Sequence, residues 1–426
     1  MSRTSSRTSS RTSSRTSYLL EHGWVDDRLC SDVTVVVEDG RFVTVGGPPV
    51  PGAERLPGVT LPGFADVHSR VLDRALGPWT GAGRGERWAT LVDRLDPDGY
   101  RELATAVFRV LVAGGTTSVG EMHLLHHQAG GVPYDEPNAT GLALVEAARD
   151  AGVRIALLDT CFLADGFGRP VSGVARRFSD GTAEEWQQRA DELTADAGGD
   201  VVVGAAVESV EHVPLDDMRL VAEWADRFET PLHVRLSASR SENDACSEVY
   251  GRTPTELLSE AGVLTDRTTA VHASYLVGSD LVRLGAASCT VCLCPGSERE
   301  RGAAAASAEE LRGCGARPVL GTAGGVLGVR EQLGHLDGPV ADRVRAATAD
   351  GHAALGFTDA GRIAVGHRAD LVTFDLGDAP STESALVGAP GAEVVQVVVG
   401  GRVRHRAGEG PEAARALDRV LERWVP

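Results

Sequence analysis

The sequence contains no lysine, and all 42 of its basic side chains are arginine. A Schiff-base lysine, a phosphate-loop lysine and a carbamylated-lysine metal bridge each require a primary amine, which arginine does not have. These three kinds of site are therefore excluded. No GxGxxG or GxxxxGK[ST] fingerprint follows a strand-like run either, so nothing indicates a dinucleotide site or a phosphate loop.

The chain also has no excess of positive charge, because 60 acidic residues give its 426 residues a formal net charge of -18. Nucleic-acid grooves and anionic membrane surfaces favour clustered positive charge. We therefore expect neither as a partner. Hydrophobic residues at 42% and charged residues at 24% lie near the averages of globular proteins, so the chain can bury a core.

Cysteine is sparse, with seven residues scattered along the chain and no apolar signal segment ahead of them. This pattern predicts a reduced, cytoplasmic setting. The one cluster, Cys289, Cys292 and Cys294, lacks the second ligand pair of a structural zinc site. We interpret it as part of a buried strand.

The two ends of the chain differ from its centre. Residues 2–17 repeat Ser-Arg-Thr-Ser four times and have no apolar face, which predicts a disordered tail over residues 1–17. Residues 18–60 and 360–408 are rich in short β-branched runs, with Asp39-Gly40 as a hairpin turn. They predict one small composite β-sandwich domain built from both termini, followed by a C-terminal helix over residues 409–426.

The central block, residues 61–359, alternates strand-like and helix-like segments. Buried parallel strands are predicted at residues 201–207, 231–236, 269–273 and 317–322, and helices at residues 216–228 and 253–261. Such βαβ alternation over nearly 300 residues predicts an α/β fold with a closed (β/α)8 TIM-like barrel. In this fold the chemistry lies at the carboxyl ends of the strands.

Several motifs resemble a known family. Leu61-Pro-Gly-Phe-Ala-Asp-Val-His-Ser-Arg70 resembles the first-strand signature of the amidohydrolase superfamily, and residues 361–372 are similar to its closing motif. Residues 113–127, which contain Glu-Met-His-Leu-Leu-His-His, most resemble the formimidoylglutamate deiminases. Residues 165–168, 271–273 and 292–295 match that family in the same order. The resemblance implies hydrolysis of a formimidoyl C–N bond with release of ammonia, in histidine degradation, by one zinc or iron ion that activates water.

The resemblance also implies four metal ligands, of which this sequence keeps one. His68 stands at the first position, but Arg70 stands where the second histidine belongs. Arg235 replaces the strand-five histidine and Ala323 replaces the strand-eight aspartate. Two further positions bear on catalysis: His272 is retained as a catalytic histidine, whereas the family's catalytic acid is replaced by Ala238.

A catalytic zinc needs three protein ligands and an open position for water, and arginine only donates hydrogen bonds. We therefore predict that the protein holds no zinc or iron and has lost the family's metal-dependent activity. One alternative is an active hydrolase with replacement ligands drawn from Glu121, His123, His126, His127, His233 and His272. Another is a regulatory or structural partner of an active homologue, and a homodimer is compatible with the sequence.

Two arginines at ligand positions predict a pocket for a small, anionic molecule. Arg70 and Arg235, with Glu121, His123 and His233 nearby, would hold a carboxylate or phosphate by bidentate hydrogen bonds. The opposing interpretation is that both arginines pair with internal carboxylates such as Glu121 or Asp73. Residues 297–301 are predicted to form a solvated loop.

Overall fold

A computed structural model describes residues 15–76, 83–325, 328–375 and 392–424, together with positions 377 and 386. Among these residues, no helix is both long and apolar enough to cross a membrane. The described strands form two separate sheets, one of seven strands and one of eight.

The seven-stranded sheet is assembled from both ends of the chain. Its strands are β1 (Arg15–Val25), β2 (Arg28–Glu38), β3 (Arg41–Val45), β4 (Glu54–Pro62), β13 (Leu371–Asp375), β14 (Glu393–Val399) and β15 (Arg402–Arg406). They lie in the order β15-β14-β13-β4-β1-β2-β3, and only the β1–β4 pair is parallel. The composite β domain is therefore confirmed, and its strands form one continuous mixed sheet. Asp39 and Gly40 form the β2–β3 turn as predicted.

The N-terminal repeat does not remain outside this sheet. Its last three residues, Arg15, Thr16 and Ser17, begin β1 and pair with Glu38, Val37 and Val36 of β2. The prediction of disorder was wrong for these residues, because β2 supplies the backbone hydrogen bonds that a polar segment lacks in isolation. Residues 1–14 lie outside the described residues.

The eight-stranded sheet is the barrel. Its strands are β5 (Phe64–Ser69), β6 (Thr116–His123), β7 (Arg154–Cys161), β8 (Val201–Val207), β9 (Leu232–Leu236), β10 (Thr268–His272), β11 (Thr290–Leu293) and β12 (Arg317–Leu320). All seven neighbouring pairs are parallel and follow chain order. Beside β5, the chain after β12 closes the ring: Ala323 N donates to His68 O at 2.7 Å, and Thr322 donates through N and Oγ1 to Asp66. The predicted (β/α)8 barrel is confirmed.

Helices surround the barrel and continue to the C-terminus. They are α1 (Val71–Arg74), α2 (Arg84–Arg94), α3 (Pro97–Ala113), α4 (Ala139–Ala151), α5 (Ala183–Leu193), α6 (Leu215–Arg227), α7 (Arg240–Tyr250), α8 (Pro254–Glu260), α9 (Gly278–Ala286), α10 (Pro295–Glu300), α11 (Ala308–Cys314), α12 (Val329–Leu333), α13 (Val340–Ala347), α14 (Ala349–Ala354) and α15 (Gly410–Trp424). Side chains cap the N-termini of several of these helices. At the N-terminus of α8, for example, Thr253 and Glu256 form a capping box. The C-terminal helix α15 packs on α3, where the absent side chain of Gly99 leaves room for Trp424.

Strand alternation decides which side chains enter the barrel. Outward residues join the large core between strands and helices, whereas inward residues such as Met122, Leu158 and Val271 form a separate core inside the ring. Leu355 and Phe357 belong to this inner core. Since successive residues alternate faces, the last inward position of each strand marks the barrel mouth.

Candidate functional site

The barrel mouth contains a cluster of ionisable side chains. His68 lies near the end of β5, Arg235 lies on β9 and His272 ends β10. Arg70 follows β5, and Glu208 follows β8. Their side chains come from different strands, so the cluster exists only in the closed barrel.

Arg70 and Arg235 share one carboxylate. Arg70 Nη1 lies 3.2 Å from Glu208 Oε1, and Arg235 Nε lies 3.7 Å from the same oxygen. The three side chains are 15%, 22% and 8% exposed. Burial alone raises the pKa of a carboxyl group, but the two guanidinium groups outweigh it and lower the pKa of Glu208. Glu208 is therefore an ionised counter-ion placed between two cations.

Arg70 has a second carboxylate partner, whereas among the described residues Arg235 is paired with Glu208 alone. Arg70 Nε lies 3.0 Å from Asp73 Oδ2, and Asp73 also accepts from Trp88 Nε1 at 3.1 Å. Arg235 Nε has no hydrogen-bond partner. The interpretation that internal carboxylates pair with both arginines thus describes the observed contacts. Asp73 pairs with Arg70 as expected, and the shared partner is Glu208, which the sequence did not identify.

Glu121 contacts the backbone beside Arg70. Its Oε1 accepts from Val71 N at 2.7 Å, at the start of α1. The side chain is buried, and burial raises the pKa of Glu121 to about 8. At neutral pH this carboxyl group is mostly protonated, so it does not add a second negative charge to the mouth.

Two buried histidines face each other across the mouth. The rings of His68 and His272 are 5.9 Å apart between centroids, in an edge-on arrangement. Neither ring nitrogen of His68 has a hydrogen-bond partner in the part of the chain that the structure describes. Burial and the nearby Arg70 hold the pKa of His68 well below its usual range, so the ring is neutral.

His272 is covered by a segment that the sequence did not assign to the site. Glu298 Oε1 lies 3.3 Å from His272 Nδ1, and Arg301 Nη2 lies 2.9 Å from the same nitrogen. The prediction of a solvated loop over residues 297–301 was wrong for Glu298, which is 0% exposed. It is buried because its carboxylate accepts from Cys294 N at 2.9 Å, at the start of α10. Burial raises the pKa of Glu298 to about 7.

The remaining candidates lie away from the mouth. Met122 belongs to the core inside the barrel, so its neighbour His123 points outward and stacks on Tyr100 of α3, with ring centroids 6.2 Å apart. This removes His123 from the predicted pocket. His233 is inward but one inward position deeper than Arg235, and burial lowers its pKa to about 4.

The backbone at these strand ends is unusual. Ser237, His272, Ala273 and Ala323 all have positive φ, at 45°, 72°, 51° and 48°. Non-glycine residues rarely adopt this conformation, and it is concentrated at functional sites. The four residues follow or end β9, β10 and β12, so the left-handed turns ring the mouth.

The side chains at the mouth do not fit the metal that the sequence resemblance implies. His68 is the sole nitrogen ligand among the four implied positions, and Arg70 and Arg235 occupy two of the others as cations. Ala323 offers only a methyl group. A metal would have to lie beside guanidinium groups that already hold Glu208.

Two other groups of ligand-type side chains lie close together among the described residues. His123, His126 and Asp159 form one, but Arg189 donates to both Asp159 oxygens at 2.8 Å. His272, Cys294 and Glu298 form the other, where Arg301 contacts His272. In each group a guanidinium already contacts one of the three ligand-type side chains. The predicted replacement ligands are thus divided among separate locations and do not converge on one centre.

Comparison with known proteins gives the family. The amidohydrolase family profile matches residues 59–404, which include all eight barrel strands, β13, β14 and the start of β15. The chain belongs to the amidohydrolase family. Formimidoylglutamate deiminase of Pseudomonas aeruginosa is 30% identical over 414 residues, covering 87% of this chain and 90% of that protein.

Other relatives that the chain resembles carry different names. The 8-oxoguanine deaminase of Pseudomonas aeruginosa is 27% identical and covers 90% of this chain and 92% of its own length. The 5-methylthioadenosine/S-adenosylhomocysteine deaminase of Halobacterium salinarum is 26% identical, with coverage of 82% and 80%. The amidohydrolase assignment is therefore secure, and the named relatives are deaminases and a deiminase.

Solved structures share the fold of this chain. An amidohydrolase from Brucella melitensis superposes with a TM-score of 0.87 at 22% identity, covering 96% of this chain and all of that one. Atrazine chlorohydrolase TrzN of Arthrobacter aurescens, complexed with zinc, gives a TM-score of 0.82 at 18% identity, covering 95% of this chain and 100% of its own. At these identities the similarity establishes the amidohydrolase fold alone.

Proposed function

We propose that this amidohydrolase is a formimidoylglutamate-deiminase-like protein of histidine breakdown that has lost metal-dependent hydrolysis. The observation that supports the proposal is the convergence of Arg70 and Arg235 on Glu208. These arginines stand where the family resemblance implies metal ligands. In this proposal the barrel fold, the mouth and His272 are retained. The positive charge at the mouth comes from two guanidinium groups and not from a metal ion.

Electrostatics make metal recovery at this position unfavourable. Two unit charges of like sign about 4 Å apart repel by roughly 4 kcal/mol at an effective dielectric constant near 20. A divalent ion between Arg70 and Arg235 would meet this repulsion more than once, with Glu208 as the nearest ionised carboxylate. His68 alone would then have to compensate for the repulsion.

Metal content and turnover test this proposal directly. We expect less than one equivalent of zinc or iron in purified protein by elemental mass spectrometry. We also expect no ammonia release from formimidoylglutamate in a coupled assay. Stoichiometric metal together with chelator-sensitive turnover would overturn the proposal.

A rebuilt site provides the complementary test. The triple variant Arg70→His, Arg235→His and Ala323→Asp restores the implied ligand set, and Ala323 has a φ of 48° that aspartate tolerates better than most residues. We expect this variant, unlike the parent chain, to bind about one equivalent of zinc. Unchanged metal content in a folded triple variant would show that more than these positions separates the chain from metal binding.

Binding of a small carboxylate ligand at the mouth is a second candidate function. It is favoured by Arg235, which is 22% exposed and whose Nε lacks a hydrogen-bond partner. A buried donor of this kind gains a charge-assisted hydrogen bond when a carboxylate arrives. Calorimetry with formimidoylglutamate and with glutamate should show binding that Arg235→Met weakens at least tenfold. The exposed Arg219→Met variant serves as the control and should leave binding unchanged.

A further inference from the structure

A second arginine-rich cavity lies at the opposite end of the barrel from the mouth. It has a volume of about 430 Å³ and lies against the starts of β7 and β8, the β2–β3 turn and the β14–β15 hairpin. Six arginines line it: Arg41, Arg149, Arg154, Arg368, Arg402 and Arg404. No residue of the amidohydrolase mouth contributes to it.

Three of these arginines are already paired with carboxylates. Arg154 makes a two-pronged contact with Asp370, in which both side chains are 1% exposed. Arg368 reaches Asp359 at 2.8 Å and Asp200 at 2.7 Å. Arg41 donates to Asp359 at 2.6 Å. These pairs hold the barrel and the β domain together.

The other three arginines have no such partner. In the described part of the chain, no acidic oxygen lies within 4.0 Å of Arg149, Arg402 or Arg404. All three are exposed. Partial burial and the neighbouring Arg402 lower the pKa of Arg404, and the negative charge of Asp200 only partly offsets this shift. Arg404 lies across Gly152, where an added Cβ would come within 2.6 Å of its Nε. A side chain at position 152 would therefore displace this guanidinium.

The charges at this cavity do not balance. Six guanidinium groups line the cavity. Two carboxylates, those of Asp39 and Asp200, line it as well, and two more, those of Asp359 and Asp370, pair with its arginines, which leaves a surplus of two positive charges. Elsewhere this protein has more acids than arginines, with a net charge of -18. An unpaired arginine cluster in so acidic a chain is best satisfied by an anion from solution.

We propose that this cavity binds the diphosphate group of a small molecule. Arg402 and Arg404 both belong to β15 and both line the cavity, with Cα atoms about 7 Å apart along the strand. A guanidinium fork binds phosphate oxygens with two hydrogen bonds, and a diphosphate offers oxygens to both forks at once. Arg149, at the end of α4, supplies a third cation from the other side of the cavity.

Calorimetry on the full chain tests the proposal with inorganic pyrophosphate and ADP as probes at constant ionic strength. We expect saturable binding of one equivalent of both probes, with at least a tenfold loss of affinity in the Arg402→Gln/Arg404→Gln variant. Arg219→Gln/Arg252→Gln removes two exposed arginines that pair with Asp216 and Glu260, and it serves as the matched control. The control variant should retain the parent affinity.

A lysine variant and thermal melts separate loss of the binding groups from loss of charge and from unfolding. The Arg402→Lys/Arg404→Lys variant keeps the charge but loses the forks, so we expect an affinity between those of the parent and the glutamine variant. Thermal melts establish that each variant is folded. Binding that is equal in the parent and the Arg402→Gln/Arg404→Gln variant would overturn the proposal, as would absence of binding in the parent. Citrate binding as strong as pyrophosphate binding would overturn the assignment to phosphate.

Discussion

Replacing Glu208 by glutamine isolates the electrostatic centre of the barrel mouth. The Glu208→Gln change keeps the shape of the side chain and removes the one ionised carboxylate shared by Arg70 and Arg235. Two partly buried guanidinium groups then remain beside each other. Removing one partner of a buried ion pair costs about 3–5 kcal/mol because the other charge is left uncompensated.

The expected magnitude lies at the lower end of that range. Arg70 retains Asp73 at 3.0 Å, and Arg235 is 22% exposed, so both charges keep some compensation. We therefore expect a loss of about 3 kcal/mol. An unfolding entropy of roughly 2.1 cal/mol/K per residue gives about 0.9 kcal/mol/K for a chain of this length, so the melting temperature should fall by about 3 °C.

Thermal melts followed by circular dichroism measure this shift, with Glu211→Gln as the control. Glu211 lies three residues away, and its side chain takes part in no ion pair among the described contacts. The pKa of Glu208 is lowered in the folded state, so its contribution is present above the unfolded value near pH 4.3 and is lost as the pH falls below it. A shift below about 1 °C at pH 7, or an equal shift in Glu211→Gln, would refute this reasoning.

Three further changes test other parts of the structure. Asp370→Asn should lower stability by about 3–5 kcal/mol in thermal melts because it leaves Arg154 buried without its counter-ion, whereas Asp375→Asn at the exposed end of β13 should change it by less than about 0.5 kcal/mol. Glu121 has a folded pKa raised to about 8, so stability falls as the pH rises from about 4.5 to 8; melts of Glu121→Gln should be flatter over this range, and a parallel profile would contradict the assignment. Gly120→Ala should destabilise the protein by about 1–3 kcal/mol, since the added Cβ would lie 2.5 Å from a β5 carbonyl oxygen; an unchanged melting temperature would show that the barrel can expand there.

Much of the fold could be predicted from local sequence patterns. The strand predicted at residues 201–207 matches β8, and the helix predicted at residues 216–228 differs from α6 by one residue at each end. Buried parallel strands and amphipathic helices have distinct periods that a single sequence displays. The start of β1 was missed because its polar residues Arg15 to Ser17 depend on pairing with β2, which no local pattern reveals.

The sequence predicts which side chains lie at the ends of barrel strands, but it does not predict which of these side chains contact one another. Glu208 follows β8 directly, so its place at a strand end was visible, yet its pairing with Arg70 spans 138 residues. Glu298 was missed because a run of charged residues indicates solvent exposure, whereas its backbone contact at Cys294 buries it. His123 was placed in the pocket by its motif, although alternation along β6 directs it outward.

The residues with positive φ at the ends of β9, β10 and β12 make the backbone of the barrel mouth strained. Each such non-glycine residue costs on the order of 1–3 kcal/mol, and such strain persists where the surrounding structure requires it. This barrel carries that cost although the implied metal ligands beside it have changed. The left-handed turns around the mouth are thus a property of the backbone and do not depend on the side chains at the implied ligand positions. We expect Ala273→Gly and Ala323→Gly to raise the free energy of unfolding, because glycine adopts positive φ without steric cost.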